Sequence, residues 1–383
     1  MSSLAGSDHE QERIARAVLT AVAEPGRPAL LSVLATVPAA DVVARLRSGE
    51  PRLDPDGRLG RRLAEVDGRR LLEQADAQHL VFVVPGEAAW PAAMDELRGV
   101  RRDGQGGEPV GLWLRGDPAL LSPARPLAVV GSRAASAYGL AVATDWAADL
   151  AAGGMTIVSG AAYGIDAAAH RGALAVGGRT VAVLAGGVDV PYPRGNASLL
   201  ERIAADGLLV SECAPGAGVN RGRFLLRNRL VAVLGAAVLV VEAGRRSGAL
   251  STAAWAEAAL RPVAAVPGPV TSAMSMGTHH LLRENRAVLV ARPDDVRELV
   301  AGYGDLPDPV PSPEHHLDGL EEPLACIREA MPARRTVSLA ELVAATGMTL
   351  PVLLSGLDAL AARGLVAGAG ETWSLRSPRR PGP

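Results

Sequence analysis

Residues suited to holding an anion recur at intervals along the middle of this sequence. The first set is Gly131-Ser132-Arg133, followed by Ser136 and Tyr138-Gly139. A glycine lets the chain turn sharply, the N–H groups of a following helix point at an anion, and an arginine adds charge and a fork of donors. The second set is Ser159-Gly160, leading to Asp166 in the first turn of the next helix, where a carboxylate is equally suited to capping. A third loop, Ala185-Gly-Gly-Val-Asp189, leads to Tyr192-Pro193 and to Asn196, which is placed to cap a helix. A fourth opening combines Glu242 with Ser247-Gly248 ahead of Ala249-Leu-Ser-Thr252.

Between the third and fourth sets lie Arg221, Arg223, Phe224, Arg227, Asn228 and Arg229. Arginines for phosphates and an aromatic face for stacking are the ingredients of single-strand recognition, each stacked base contributing about 1–3 kcal/mol. The same pattern suits a solvated helix face with Phe224 turned into a core, and residue types alone lean to that second reading.

Several catalytic arrangements are missing. The chain has no lysine for a Walker A loop, no Gly-x-Ser-x-Gly elbow and no His-Glu-x-x-His. The glycines of a dinucleotide fingerprint are absent after Val130, and Ser159-Gly160 stands where an acidic residue would take a ribose. His279 and His280 have no third ligand at short spacing, and Cys213 and Cys326 are the only cysteines, so neither a metal nor a cofactor is expected. Phosphate cradles without a nucleophile–base pair describe a binding surface and not an enzyme.

These loops must be held by an α/β scaffold. Near-continuous apolar runs at Leu127–Val130, Thr156–Val158, Thr180–Leu184, Leu208–Ser211, Ala237–Val241, Val263–Val266 and Ala287–Val290 predict parallel strands buried on both faces. The stretches between them are long enough for crossover helices, giving a Rossmann-like, doubly wound, mostly parallel sheet. Ligands of such sheets bind at the carboxyl ends of the strands. Residues 1–105 read as a small helical N-terminal domain with a connector, 106–304 as the Rossmann-like core, 305–319 as a proline-rich linker, and 377–383 as a tail. Residues 320–376 read as three helices and a two-stranded wing, a winged-helix domain, with a capping box at Ser338-Leu-Ala-Glu341 and Pro351 just inside the last helix.

With 383 residues, 48% hydrophobic and 21% charged, the chain can build sizeable cores. No apolar run reaches the length of a membrane span, and the first residues lack the basic-then-apolar order of a secretory signal, so a cytoplasmic protein with no membrane association is expected. A net charge of −2 argues against a basic coat but not against a local basic groove. All 39 basic residues are arginine, so any charged phosphate contact is a planar, permanently charged guanidinium.

Taken together, Val130-Gly-Ser-Arg133 with Ser136 and Tyr138-Gly139, Ser159-Gly160 through Gly164-Ile-Asp166, Asp189 with Tyr192-Pro193 and Asn196, Ser211-Glu212, Phe224 with Arg227-Asn-Arg229, Val241-Glu-Ala243, Ser247-Gly-Ala-Leu250 with Thr252, and Val266-Pro-Gly268 closely resemble the bacterial DNA-processing protein A (DprA, or Smf) family. The resemblance is dense over residues 108–300, and looser for the SAM-like N-terminal zone and the winged helix. It implies a homodimer that binds and protects incoming single-stranded DNA and loads the RecA recombinase in natural transformation and recombination. It places the DNA pocket on Gly131, Ser132, Arg133, Phe224, Arg227, Asn228, Arg229, Glu242, Ser247 and Gly248, to which the anion-binding loops add Ser136, Ser159 and Gly160. The sequence departs from the family at Arg223-Phe224-Leu225, where Asn-Phe-Pro is common, at His279, where Asn is common, and at Arg286-Ala287, where Gly-Ala is common. Two rival functions are a nucleoside-monophosphate phosphoribohydrolase on the same kind of core, whose Pro-Gly-Gly loop is broken here by Pro269, and a double-stranded-DNA regulator using the winged helix.

Overall fold

Alternation of side chains along the central strands decides the layers of the molecule. In a computed structural model, which describes residues 2–122, 124–301, 320–333 and 335–376, Leu127 and Val129 point into one core, and Ala128 and Val130 into another. The chain divides into two compact units, residues 1–307 and 308–383.

The first unit begins with five helices, α1 (Ser2–Val22), α2 (Pro28–Leu34), α3 (Ala39–Arg47), α4 (Arg58–Leu63) and α5 (Gly68–Ala77). Their apolar faces, including Val18, Val42, Leu46 and Leu63, close on one another. Then come β1 (Val81–Val83), α6 (Ala92–Asp95), a hairpin of β2 (Arg101–Arg102) and β3 (Gln105–Gly106), and β4 (Leu112–Gly116). The remainder alternates: β5 (Pro126–Val130), α7 (Ala137–Ala152), β6 (Thr156–Ser159), α8 (Ile165–Ala175), β7 (Thr180–Val183), α9 (Ala197–Asp206), β8 (Leu208–Ser211), α10 (Arg221–Leu234), β9 (Ala237–Val240), α11 (Ala249–Ala258), β10 (Val263–Ala265), α12 (Met276–Arg283), β11 (Val288–Leu289) and α13 (Pro293–Val300).

Nine strands form one mixed sheet in the order β1-β4-β8-β7-β6-β5-β9-β10-β11. The seven from β8 to β11 are parallel, as their unbroken apolar runs predict. The sheet grows in both directions from β5, so the order reverses between β5 and β9, and a crevice opens there at the carboxyl ends of the strands. Helices α10 and α11 cover one face through Leu226, Leu230 and Ala253, and α7 and α8 cover the other through Ala143, Ala147 and Ala169.

The four strands before β5 depart from expectation, and two of them join the main sheet. Residues 81–83, assigned from the sequence to a helical zone, form β1, which runs antiparallel to β4, and β4 runs antiparallel to β8. Three residues carry no readable period, and β1 exists because Phe82 packs on Trp113 with ring centroids 4.4 Å apart, a contact distant in sequence. Ala17 and Ala75 of the first helices join the same core, beside Leu209 of the sheet.

In the second unit, α14 (Glu322–Glu329), α15 (Leu339–Thr346) and α16 (Leu350–Ala362) pack on a three-stranded sheet of β12 (Val337–Ser338), β14 (Thr372–Leu375) and β13 (Val366–Ala369). Ser338 and Glu341 close the capping box that their spacing predicts. The short β12 is an addition to the expected two-stranded hairpin. The expected linker (305–319) and tail (377–383) lie outside the described residues.

Candidate nucleic-acid interface

The crevice between β5 and β9 is a cleft of about 750 Å³, and most of the anion-binding residues read from the sequence converge on it. The loop after β5 and the loop after β9 are joined at its base, where the Ser132 N–H donates to the Glu242 carbonyl at 2.7 Å. Gly131, Ser132 and Arg133 line one wall, Ser247 and Gly248 the facing one, and Phe224, Arg227 and Asn228 of α10 the third. Gly160 completes the floor, close enough that a Cβ there would collide with the Arg227 guanidinium.

Two helix N-termini meet at this point and differ in what fills them. At α7, Ser136 is the N-cap, its hydroxyl accepting from the Gly139 N–H at 3.1 Å. The buried Glu242 carboxylate sits on that end, accepting from the Ser136 N–H at 2.9 Å and from its hydroxyl at 2.5 Å. Glu242 therefore satisfies the end of α7, and Ser136 and Glu242 shape the loop without lining the cleft. Gly139 is required there, because a Cβ would fall on the Glu242 carboxylate. At α11 the N-cap is the exposed Gly248, and that end opens into the cleft, its Gly248 carbonyl held at 3.3 Å by the Asn228 side chain.

The arginine cluster separates by role. Arg229 is fully buried and forks onto both oxygens of Glu212, and Arg223 pairs through Nε and Nη2 with Glu24 at 2.8 Å each. Neither lines the cleft. Arg227 does, 7% exposed, with Nη1 donating to the Val183 carbonyl and Nε without a partner. Burial, with the nearby Arg133 charge, pulls its pKa down to about 10, and Asp166 partly offsets this. Asp166 also lines the cleft; burial pushes its carboxyl above the usual carboxylate range against the pull of Arg227. Arg227 thus brings a buried positive charge to the cleft wall, while its Nε is enclosed and does not reach the cleft surface.

Arg133 is exposed and lies over Phe224, its Cζ 5.0 Å from the ring centroid. The Phe224 ring is half-buried, in the cleft wall and not the core, and Tyr192 packs on it at 5.4 Å. Ser159, by contrast, is fully buried and its hydroxyl donates to the Val129 carbonyl at 2.6 Å, tying β6 to β5. Asn196 makes no cap bond; its amide donates to the Ala161 carbonyl at 3.0 Å and the Ala162 carbonyl at 3.3 Å, bracing the loop after β6. Of the departures from the family pattern, Leu225 is exposed at the cleft, and His279 ties the turn after β10 through Gly268 at 3.0 Å.

Among the lining residues that escaped the sequence reading of the site are Tyr192, Arg221 and Arg246. Arg221 lay inside the arginine cluster, Tyr192 read as turn chemistry, and Arg246 is one residue before Ser247. With Arg133 and Arg227 the cleft carries four guanidinium groups against one carboxyl, in a chain whose formal charge is −2. Among the described residues no single helix is long and apolar enough to cross a membrane.

Residues 81–301 match the family described as DNA recombination-mediator protein A. A putative DNA processing protein DprA from Mycobacterium tuberculosis is 43% identical over 372 residues, covering 94% of this chain and 93% of the relative. The X-ray structure of DNA processing protein A from Streptococcus pneumoniae superposes with a TM-score of 0.62 at 31% identity, covering 76% of this chain and 98% of that one. The structure of DNA processing protein A from Helicobacter pylori, reported for its single-stranded DNA binding mode, gives a TM-score of 0.50 at 29% identity, covering 57% of this chain and 94% of that one.

Proposed function

The chain belongs to the DNA recombination-mediator protein A family, and on that premise we propose that it binds single-stranded DNA in the cleft at the switch point of its sheet, as a binding protein and not an enzyme. The observation that carries this reading is the pairing of chemistries in one cleft. Arg227 brings a buried guanidinium charge to the cleft wall, while the exposed Arg133 stacks on Phe224 beside it. Phosphates take the guanidinium groups and the open N-terminus of α11, and a base takes the Phe224 face. Gly131, Ser132, Gly160, Asn228, Ser247 and Gly248 set the walls; Ser136, Ser159, Arg229 and Glu242 act behind them, holding the loops.

The wider role follows the same premise. The protein protects incoming single strands in the cytoplasm and loads the RecA recombinase onto them, acting as a homodimer. Residues 1–105 brace the core of 106–304, and the second unit is a winged helix. Its α16 exposes Leu350, Val352 and Leu354 and is followed by Arg363 as the nearest basic residue, which suits a protein contact better than a DNA groove.

The test is a salt-titrated comparison of a ~20-nucleotide single strand with its duplex. Strong single-strand preference with a steep salt slope is expected, and Arg133→Ala weakens binding to every sequence and lowers the slope by about 1. Equal or duplex-favouring binding shifts the function to the winged helix, and an unchanged slope in the variant removes Arg133 from the groove.

A further inference from the structure

Helix α10 presents Phe224 and Asn228, one turn apart, to the cleft, and turns Arg223 and Leu226 away from it. Against Arg223 and Leu226 sits the short loop Glu24-Pro25-Gly26, which follows α1 and precedes α2. All three guanidinium nitrogens of Arg223 are engaged: Nε and Nη2 grip the Glu24 carboxylate, and Nη1 donates to the Gly218 carbonyl at 2.6 Å. The Asn220 side chain caps α10 by accepting from the Arg223 N–H at 2.9 Å, and it also hydrogen-bonds Glu24. One turn on, Gly26 has φ +64°, and a Cβ there would stand 2.7 Å from the Leu226 side chain, so only glycine fits.

The segment leading into α10, Pro215-Gly-Ala-Gly218, is glycine-rich, with φ +78° at Gly216 and open space beside Gly218. Side-chain bonds hold its course, from Asp189 to the Gly216 N–H at 2.9 Å and from Arg223 to Gly218. Arg223 stands where Asn is common in the family, a side chain too short to fork onto Glu24, and Glu24 lies outside the matched residues 81–301. The Glu24 side chain is half-exposed, so the pair adds little to global stability and its effect is local. We propose that Glu24 is a positioning residue for the cleft: through Arg223 it fixes the first turn of α10, and with it the Phe224 ring that meets a base. The helical zone thereby sets how the stacking face is presented without lining the cleft itself. The proposal rests on the single-strand reading above.

The experiment uses the full chain and two strands of ~20 nucleotides, all-thymine and fully abasic, whose equal charge makes the ratio of their affinities a readout of the bases alone. The wild type prefers the all-thymine strand. In Glu24→Gln that ratio falls by about fivefold, the contribution of one weakly stacked base, while the unfolding midpoint moves little. The exchanged pair, Glu24→Arg with Arg223→Glu, restores the ratio, which a role in packing alone would not do. A ratio unchanged in Glu24→Gln, or one that stays low in the exchanged pair, overturns the coupling while leaving single-strand binding intact. A wild type that binds both strands alike takes the base off Phe224 and defeats the coupling with it. A wild type that binds neither strand defeats the single-strand reading as a whole.

Discussion

Chemically similar side chains in this protein are sorted by burial. Arg221 and Arg229 lie within one helix, yet one is exposed at the cleft and the other is enclosed with Glu212. Removing one member of a buried pair strands the other charge, so Arg229→Met should cost about 3–5 kcal/mol of stability. Adding Glu212→Gln should recover most of that loss in a denaturant titration. A destabilisation no larger in Arg229→Met than in the double variant would show that the pair is not a unit. His170 provides a second test, by pH. It is fully buried, and desolvation first, then the Arg227 charge, depress its pKa from 6.5 to about 3. The fold therefore refuses a proton that the unfolded chain accepts below pH 6.5, and stability falls as pH falls through the window from 6.5 to 3, by about 1.4 kcal/mol per pH unit. His170→Gln should flatten the dependence of the unfolding midpoint between pH 6.5 and 5; an unaltered slope would mean that His170 is charged in the fold.

Elements meet at the cleft through one carboxylate. Glu242 follows β9, yet its side chain caps α7 and its carbonyl takes the Ser132 N–H, so three segments share one residue. Glu242→Ala should leave the Ser136 N–H and hydroxyl without their carboxylate partner, cost about 1–2 kcal/mol, and loosen the Gly131-Ser132-Arg133 loop. Single-strand affinity should drop although Glu242 faces no phosphate, because Arg133 is no longer held over Phe224. Glu242→Gln should restore the stability in part, since an amide still accepts one bond but brings no charge to the helix end. If Glu242→Ala instead tightens binding, the carboxylate acts on DNA by repulsion and not on the loop by capping.

At the scale of the molecule, the sheet ends at β11, an edge left open among the described residues of the first unit. Strand β11 is two residues long, and Val288 and Leu289 are each 54% exposed. An exposed apolar edge strand pairs readily with another chain, so this edge is a testable surface for the proposed homodimer. Replacing Val288 with Arg and Leu289 with Glu should convert the protein to a monomer by sedimentation without lowering its unfolding midpoint. A dimer that persists in that variant places the interface elsewhere.

The scaffold was legible in the sequence because parallel strands buried on both faces are written as unbroken runs such as Leu127–Val130 and Leu208–Ser211, and the loops after them carry the glycines and hydroxyls of anion binding. The positions of Arg133, Phe224, Gly248 and Arg227 at one cleft follow from those loops lying at the same end of one sheet. What each polar residue touches was decided only by the tertiary structure. Arg227 and Arg229 are two residues apart on one helix, and their turn of roughly 200° around it sends one to the cleft and the other to Glu212. Glu242 and Ser136 could each have met a phosphate, but they satisfy one another across 106 residues of chain. Strand β1 likewise exists through Phe82 on Trp113, a contact that no local window contains. Periodicity is a local property and survives in the sequence; partnership between distant residues is set by packing, and only the folded chain holds it.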